Sequence, residues 1–179
     1  GTDALIISLM ALNLKMGDEV ITAANTAIPT ISAIVNSGAI PKLVDIRDDY
    51  LINVNEIERL INKKTKAIIP VHLYGKACDM NKICGIAKKY NLKIIEDCAQ
   101  ATGTMWDSKN VGSIGDIGCF SFFPTKNLGC AGDGGAVTTS NKYLAQKIRE
   151  LAVHGSPKRY NHNQIGYNSR LDVIQAAIL

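Results

Sequence analysis

Residues 67–97, with the sequence AIIPVHLYGKACDMNKICGIAKKYNLKIIED, contain the pattern that decides the fold class. Two β-rich apolar runs, residues 67–73 and 92–96, predict buried strands, although Pro70 interrupts the first run. The residues between them predict a helix over about 80–90. A strand, a helix and a second strand in this order are typical of a parallel sheet covered by helices. Asp97 then follows at the carboxyl end of the second strand.

The same alternation of strands and helices extends in both directions from this segment. Asn53 with Glu56 resembles a capping box, and Ser140 is a candidate helix cap. Further helices are predicted over residues 3–14, 30–36, 53–61 and 140–153, and further strands over 19–22, 42–45, 116–122 and 136–139. The chain is therefore predicted to form one three-layer α/β/α domain with a mixed, mostly parallel sheet.

Composition excludes several classes of function. The chain has 179 residues, of which 46% are hydrophobic and 20% charged, as expected for one globular domain. The net charge of +4 is mild, and basic residues are not interleaved with aromatic ones, so no nucleic-acid binding is predicted. No apolar run approaches the roughly 20 residues that span a bilayer, which predicts no membrane partner.

The cysteines and the two ends of the chain complete this first assessment. The 5 cysteines include no Cys-x-x-Cys pair and the histidines have no metal-ligand spacing, which favours reduced thiols, a cytoplasmic protein and no metal site. The chain begins without methionine and stops inside an apolar helical pattern. We therefore expect a fragment from the middle of a longer protein.

A second segment, SFFPTKNLG at residues 121–129 followed by GDGG at 132–135, carries the chemistry. It places Lys126 between an apolar strand and a glycine-rich turn, downstream of Asp97. A lysine and an upstream aspartate in this order suggest a pyridoxal phosphate site. The amine would form a Schiff base with the cofactor aldehyde, and the carboxylate would keep the pyridine nitrogen protonated. Taken singly, Lys126 is more simply interpreted as a solvated loop lysine and Asp97 as a strand-end aspartate.

Five motifs together identify a family resemblance. They are GTDAL at residues 1–5, PVHLYG at 70–75, EDCAQ at 96–100, SFFPTKNLG at 121–129 and GYNSRLD at 166–172. With these motifs the whole chain resembles the DegT/StrS-type sugar aminotransferases, which are pyridoxal phosphate enzymes with the aspartate aminotransferase (type I) fold. The resemblance implies that residues 1–179 are the cofactor-binding large domain, without the N-terminal segment and the C-terminal small domain of that family.

The resemblance also implies roles for individual residues. Lys126 would be the Schiff-base lysine, whose freed amine later moves a proton between the substrate and the cofactor. Asp97 would be the partner of the pyridine nitrogen, and Gln100 would bind the 3′-oxygen of the cofactor. The branch of the family that dehydrates sugars carries histidine at the position of Lys126, so lysine favours transamination.

The cofactor phosphate would be held by residues from distant parts of the chain. Gly1 and Thr2 precede the first helix, whose N-terminus favours an anion, and Ser121 resembles the family serine that contacts the phosphate. Asn168 would complete this site from the neighbouring subunit, which implies a homodimer with shared active sites. An ordinary helix cap at Thr2 and a buried strand serine at Ser121 are the alternatives.

The function implied by the resemblance is transamination of a keto group on a nucleotide-linked sugar, in amino-sugar and surface polysaccharide biosynthesis. Glutamate or glutamine would be the amino donor. A pyridoxal phosphate-dependent sugar dehydratase and a non-catalytic regulatory member of the same fold are the alternatives. Two residues depart from the family pattern: Ala27, where many members have an aromatic residue that stacks on the cofactor, and Thr102, where a histidine is common.

Overall fold

The computed structural model describes residues 1–179 and contains one central sheet of six strands. The six strands are β1 (Glu19–Ala23), β2 (Ile40–Val44), β3 (Thr65–Ile69), β4 (Lys93–Asp97), β7 (Ile117–Ser121) and β8 (Gly135–Thr138). They lie in the order β2-β1-β3-β4-β7-β8. All neighbouring pairs are parallel except β7 and β8, which are antiparallel. The mixed, mostly parallel sheet predicted from the sequence is therefore confirmed.

Six α-helices connect and cover the strands. They are α1 (Thr2–Ala11), α2 (Ile28–Asn36), α3 (Val54–Ile57), α4 (Met80–Tyr90), α5 (Lys142–Leu151) and α6 (Val173–Ile178). A short 3-10 segment follows α3 at Glu58–Leu60, and another follows β3 at Leu73–Gly75. The longest helix has 11 residues, and no helix is both long and apolar enough to cross a membrane.

Two apolar clusters, one on each face of the sheet, hold the helices against it, so that the domain has three layers: helices, sheet and helices. Adjacent strand residues point to opposite faces, so Ile69 packs with α1, α2 and α5 whereas Ile68 packs with α3 and α4. Val20 and Ile21 on β1 divide between the two clusters in the same way. Because both faces are covered, β1 is buried at every position, as the continuous apolar run of a central parallel strand requires.

The structure corrects several predicted boundaries. The prediction of Ser140 as a helix cap is wrong, because Asn141 has the extended backbone of a cap and its Oδ1 accepts the N–H groups of Tyr143 and Leu144. The first helix ends at Ala11, and β3 ends at Ile69, directly before Pro70. Residues 53–61 form only one turn of α-helix followed by a 3-10 turn.

A small antiparallel hairpin was not predicted. Its strands are β5 (Met105–Trp106) and β6 (Lys109–Asn110), and they pair outside the main sheet. Asp107 and Ser108 form the two-residue turn with φ values of 47° and 61°, the left-handed conformation that a tight hairpin needs.

Candidate active site

A cavity of about 260 Å³ lies where β4 and β7 end, at the carboxyl edge of the sheet. Open α/β sheets bind ligands at this edge. Five of the seven residues predicted for the site line this cavity, although they come from distant parts of the chain. They are Gly1, Thr2, Asp97, Ser121 and Lys126.

Asp97 is the last residue of β4 and is almost fully buried, with 4% of its surface exposed. Its Oδ1 accepts the N–H of Ala99 at 3.1 Å, and its Oδ2 accepts the hydroxyl of Thr30 at 2.8 Å. Each carboxylate oxygen has two acceptor positions, so capacity remains on the cavity side for a further donor. Burial raises the pKa of Asp97, while the hydrogen bonds from Ala99 and Thr30 and the charge of Lys126 oppose that rise.

Lys126 lies in the turn that follows β7. The turn is fixed by the backbone: Lys126 N–H donates to the Phe123 carbonyl at 2.8 Å, and Cys130 N–H donates to the Phe122 carbonyl at 2.8 Å. Phe122 N–H in turn donates to the carbonyl of Gly134 at 2.9 Å, which attaches the turn to the start of β8. The half-buried lysine makes no salt bridge, and it faces the same cavity as the Asp97 carboxylate.

The N-terminus of α1 closes another side of the cavity. Gly1 is the N-cap residue and no side chain caps this helix, whereas Asn53, Asp79, Asn141 and Asp172 cap α3, α4, α5 and α6. The first backbone N–H groups of α1 are therefore not used by a side chain of the chain itself, and they carry the positive end of the helix dipole. This end of the cavity is suited to an anion.

Gly1 and Ser121 approach each other too closely for any larger residue at position 1. A Cβ atom built on Gly1 would lie 2.6 Å from Ser121 Cβ and 2.7 Å from Ser121 Oγ. The nitrogen of Gly1 also donates to the Gly134 carbonyl at 3.0 Å. The glycine thus brings the start of α1 against the end of β7, and the Ser121 hydroxyl lies beside the uncapped helix end.

Gln100 and Asn168 do not line this cavity. The turn after Asp97 presents Ala99 to the cavity, and Gln100 lies further along it, half-buried. Asn168 is exposed and lies in a neighbouring cavity of about 570 Å³, which shares Gly1 and Thr2 with the first. Their predicted contacts with the cofactor therefore remain predictions.

Glu96, the neighbour of Asp97 on β4, forms a second buried network that the sequence did not predict. It is fully buried, and four donors surround it: the N–H groups of Gly112, Ile114 and Gly115 at 2.7–2.9 Å, and His72 Nε2 at 3.1 Å. Burial alone would raise the pKa of Glu96, but the hydrogen bond from His72 and those from the backbone outweigh it and hold the pKa below 4.5. The network fixes residues 112–115 against the strand that carries Asp97.

His72, Glu96 and Cys98 lie close enough together to suggest a metal site, since their ligand atoms fall within 4.8 Å of one another. The chemistry opposes it. Cys78 N–H donates to His72 Nδ1 at 3.0 Å, so the ring proton lies on Nε2 and is donated to Glu96. Burial also raises the pKa of Cys98, which keeps its thiol protonated. The group is a hydrogen-bonded core element.

The departure from the family pattern at residue 27 lies at the start of α2, which also lines the cavity. Ala27 is exposed and lines the cavity with Pro29 and Thr30, all at the start of α2. Phe123, with 47% of its surface exposed, also lines it. Two aromatic residues therefore line the cavity, Phe120 on β7 and Phe123 on the turn that carries Lys126, whereas α2 contributes none. Thr30 was missed from the sequence because no motif marks it, and Phe123 was missed although it lies within the motif at residues 121–129.

Comparison with known proteins gives a consistent result. The sequence model of the DegT/DnrJ/EryC1/StrS aminotransferase family matches residues 1–179. The chain is 53% identical over 180 residues to UDP-N-acetyl-3-dehydro-alpha-D-glucosamine 3-aminotransferase of Acidithiobacillus ferrooxidans, covering 100% of this chain and 49% of that protein. It is 50% identical over 181 residues to the pleiotropic regulatory protein of Geobacillus stearothermophilus, covering 100% of this chain and 48% of that one.

A solved structure shares the fold. NtdA of Bacillus subtilis, determined with bound cofactor PMP, superposes with a TM-score of 0.93 at 42% identity, covering 99% of this chain and 41% of that one. The chain spans about half the length of the curated relatives it matches.

Proposed function

Because the chain belongs to the DegT/DnrJ/EryC1/StrS aminotransferase family, we propose that it is the cofactor-binding domain of a pyridoxal phosphate-dependent sugar aminotransferase. The reaction transfers an amino group to a keto carbon of a nucleotide-linked sugar, with glutamate or glutamine as donor. The observation that carries the proposal is the convergence of Asp97, Lys126 and the uncapped end of α1 on one cavity.

The residues of the cavity fit pyridoxal phosphate at three points. The buried carboxylate of Asp97 has acceptor capacity for a protonated ring nitrogen. Lys126 provides the primary amine that the cofactor aldehyde requires. The N–H groups in the first turn of α1, from Thr2 onward, with the Ser121 hydroxyl beside them, form a cradle for the phosphate.

Each of these residues has a chemical task. Bound pyridoxal phosphate supplies a ring that accepts the electrons released when the donor loses its α-proton. Asp97 holds a positive charge at the ring nitrogen, which makes that acceptance favourable. Lys126 Nζ would hold the cofactor covalently and would take up and return the proton. The α1 N-terminus holds the phosphate and so fixes the position of the ring.

The proposal extends to assembly and location. We propose a cytoplasmic homodimer in which Asn168 of each subunit reaches the phosphate of the other. An exposed Asn168 that does not line the cavity of its own chain supports a role in trans. Gln100 is assigned to the 3′-oxygen, with its position in the turn after Asp97 as support.

Covalent labelling tests the cofactor and the lysine together. The full-length protein is incubated with pyridoxal phosphate, reduced with borohydride and digested, and the pyridoxyl mass is expected on the peptide that contains Lys126. Lys109 and Lys142, which are exposed and lie outside the cavity, are internal controls. A label on either control lysine, with none on Lys126, contradicts the assignment. Incubation with glutamate and a panel of keto-sugar nucleotides, followed by mass spectrometry of products, identifies the substrate.

A mixed-subunit experiment tests the shared site. Asn168→Ala and Lys126→Ala subunits are each expected to form homodimers with weak or no activity. Mixing them should restore about one competent site per heterodimer, because one of the two composite sites then receives both native residues. Verified subunit exchange without any recovery of activity would remove Asn168 from the site.

A non-catalytic regulatory role is the second candidate. The observation that favours it is the 50% identity to a relative named as a pleiotropic regulatory protein. The two candidates differ in the labelling experiment: a regulator that does not use the cofactor leaves Lys126 unmodified and shows no visible absorbance after incubation with pyridoxal phosphate.

A further inference from the structure

Thr30, in the first turn of α2, is 1% exposed and donates its hydroxyl to Asp97 Oδ2 at 2.8 Å. The contact joins residues 67 positions apart. Thr26, four residues earlier and before the start of α2, donates its own hydroxyl to Thr30 Oγ1 at 2.7 Å. Two hydroxyls therefore form a chain that ends on the carboxylate.

The direction of this chain follows from the charge of Asp97. An ionised carboxylate only accepts hydrogen bonds, so the Thr30 proton must point toward Asp97. The Thr30 oxygen is then left as an acceptor, and Thr26 satisfies it. The arrangement is compatible with an ionised Asp97 without any rearrangement, although the group is buried.

We propose that Thr30 is a positioning residue for the transamination: its hydroxyl fixes Oδ2 of Asp97, so that the carboxylate presents its remaining acceptor positions to the cofactor ring nitrogen. This inference rests on the proposed function. Ala99 N–H holds Oδ1 from the backbone, so the two oxygens are fixed by two elements, the turn after β4 and the start of α2. Loss of the α2 donor leaves the carboxyl group held at one oxygen only.

Thr22 offers a matched control for a purely structural role. It lies on β1, is fully buried, and donates its hydroxyl to the Ile69 carbonyl at 2.9 Å. Thr22→Val and Thr30→Val therefore remove the same group from equally buried positions. Only the second change removes a donor from Asp97.

The test uses the full-length protein reconstituted with pyridoxal phosphate labelled with ¹⁵N in the ring. For Thr30→Val we expect the ¹⁵N resonance to move toward that of an unprotonated pyridine. We also expect the dissociation constant of the cofactor to rise about tenfold, since a hydrogen bond to a charged group is lost. Thr22→Val should retain the wild-type ¹⁵N resonance and the wild-type dissociation constant, although its melting temperature should fall about as much as that of Thr30→Val. A Thr30→Val protein with the wild-type resonance and dissociation constant overturns the inference.

If the Thr30→Val protein does not fold, a second pair of variants tests the same inference. Thr30→Ser and Thr30→Ala both lose the methyl group and differ only in the hydroxyl. The serine variant should retain the wild-type resonance and the alanine variant should not; identical values in the two overturn the inference. A wild-type protein that takes no pyridoxyl label on Lys126 overturns the proposed function and this inference with it. Normal labelling with an unchanged resonance in Thr30→Val overturns the inference alone.

Discussion

Replacement of Glu96 by glutamine tests the hydrogen-bonded network beneath the cavity. Glu96 Oε1 accepts the N–H groups of Ile114 and Gly115, and Oε2 accepts those of Gly112 and His72. Glutamine has nearly the same shape but carries one oxygen and one NH₂ group. In either orientation of the amide, the NH₂ group faces two donors and leaves them without an acceptor.

The histidine cannot relieve this conflict. Its Nδ1 is already occupied by the N–H of Cys78, so Nε2 must remain protonated and must donate. A hydrogen bond to a charged acceptor contributes about 1.5–3 kcal/mol, and breaking one side of a buried charged network costs about 3–5 kcal/mol. We therefore expect Glu96→Gln to lower the free energy of unfolding by about 3–5 kcal/mol.

Urea unfolding of the full-length protein measures this loss, with Glu19→Gln as the matched control. Glu19 is also buried, but it accepts only one side-chain hydrogen bond, from Asn62 Nδ2 at 2.7 Å. A glutamine there can rotate its oxygen toward Asn62, so we expect a loss of less than about 1 kcal/mol. Equal losses in the two variants would refute the reasoning.

The same network predicts a pH dependence. Because the folded-state pKa of Glu96 lies below its ordinary value of 4.5, its stabilising contribution is complete above that value and is lost as the pH falls toward the lower folded pKa. Wild-type protein should therefore lose stability across this acidic range more steeply than Glu96→Gln. Parallel pH profiles for the two proteins would contradict the assigned role.

Two further predictions concern single side chains. Asp97→Asn should lose most turnover, yet in the cofactor-free protein at pH 7 it should lose less stability than Glu96→Gln, as measured by urea unfolding: the asparagine NH₂ group faces one donor instead of two, and the raised folded pKa of Asp97 means that ionisation above the ordinary value of 3.8 already opposes folding. An equal or larger loss of stability would contradict this. Lys147→Met should lower the free energy of unfolding by about 1–3 kcal/mol in the same assay, because the buried amine donates to the Ala11 carbonyl at 3.0 Å and so caps the end of α1. Lys142→Met, at an exposed position, should change it by less than about 0.5 kcal/mol. Equal effects of the two substitutions would argue that Lys147 does not cap α1.

The strands and helices of the main sheet could be predicted because their periodicity is long and regular. The helix at Met80–Tyr90 was predicted with its observed bounds. Its neighbour α5 shows the limit of the method: Ser140 and Asn141 are both good capping residues, and only the backbone angles and the reach of the side chain decide between them. The β5–β6 hairpin has two residues per strand, too few to show any period.

The candidate site divides in the same way. Lys126 and Asp97 could be predicted because each lies in a recognisable motif at the end of an apolar strand. Thr30 could not, because its importance depends on a contact across 67 positions of the chain that no local pattern records. The donors to Glu96 were missed for the same reason, since two of them are backbone groups of glycines whose side chains carry no signal.

The adjacent carboxylates on β4 show how the fold separates a structural group from a candidate catalytic one. Successive strand residues face opposite sides of the sheet, so Glu96 meets His72 and residues 112–115 while Asp97 meets α2 and the cavity. Four donors satisfy Glu96, and its pKa is lowered; two donors hold Asp97, and burial raises its pKa. Asp97 is therefore the carboxylate that still gains from a cationic partner. Neutralising Asp97 should consequently cost less stability at neutral pH than neutralising Glu96.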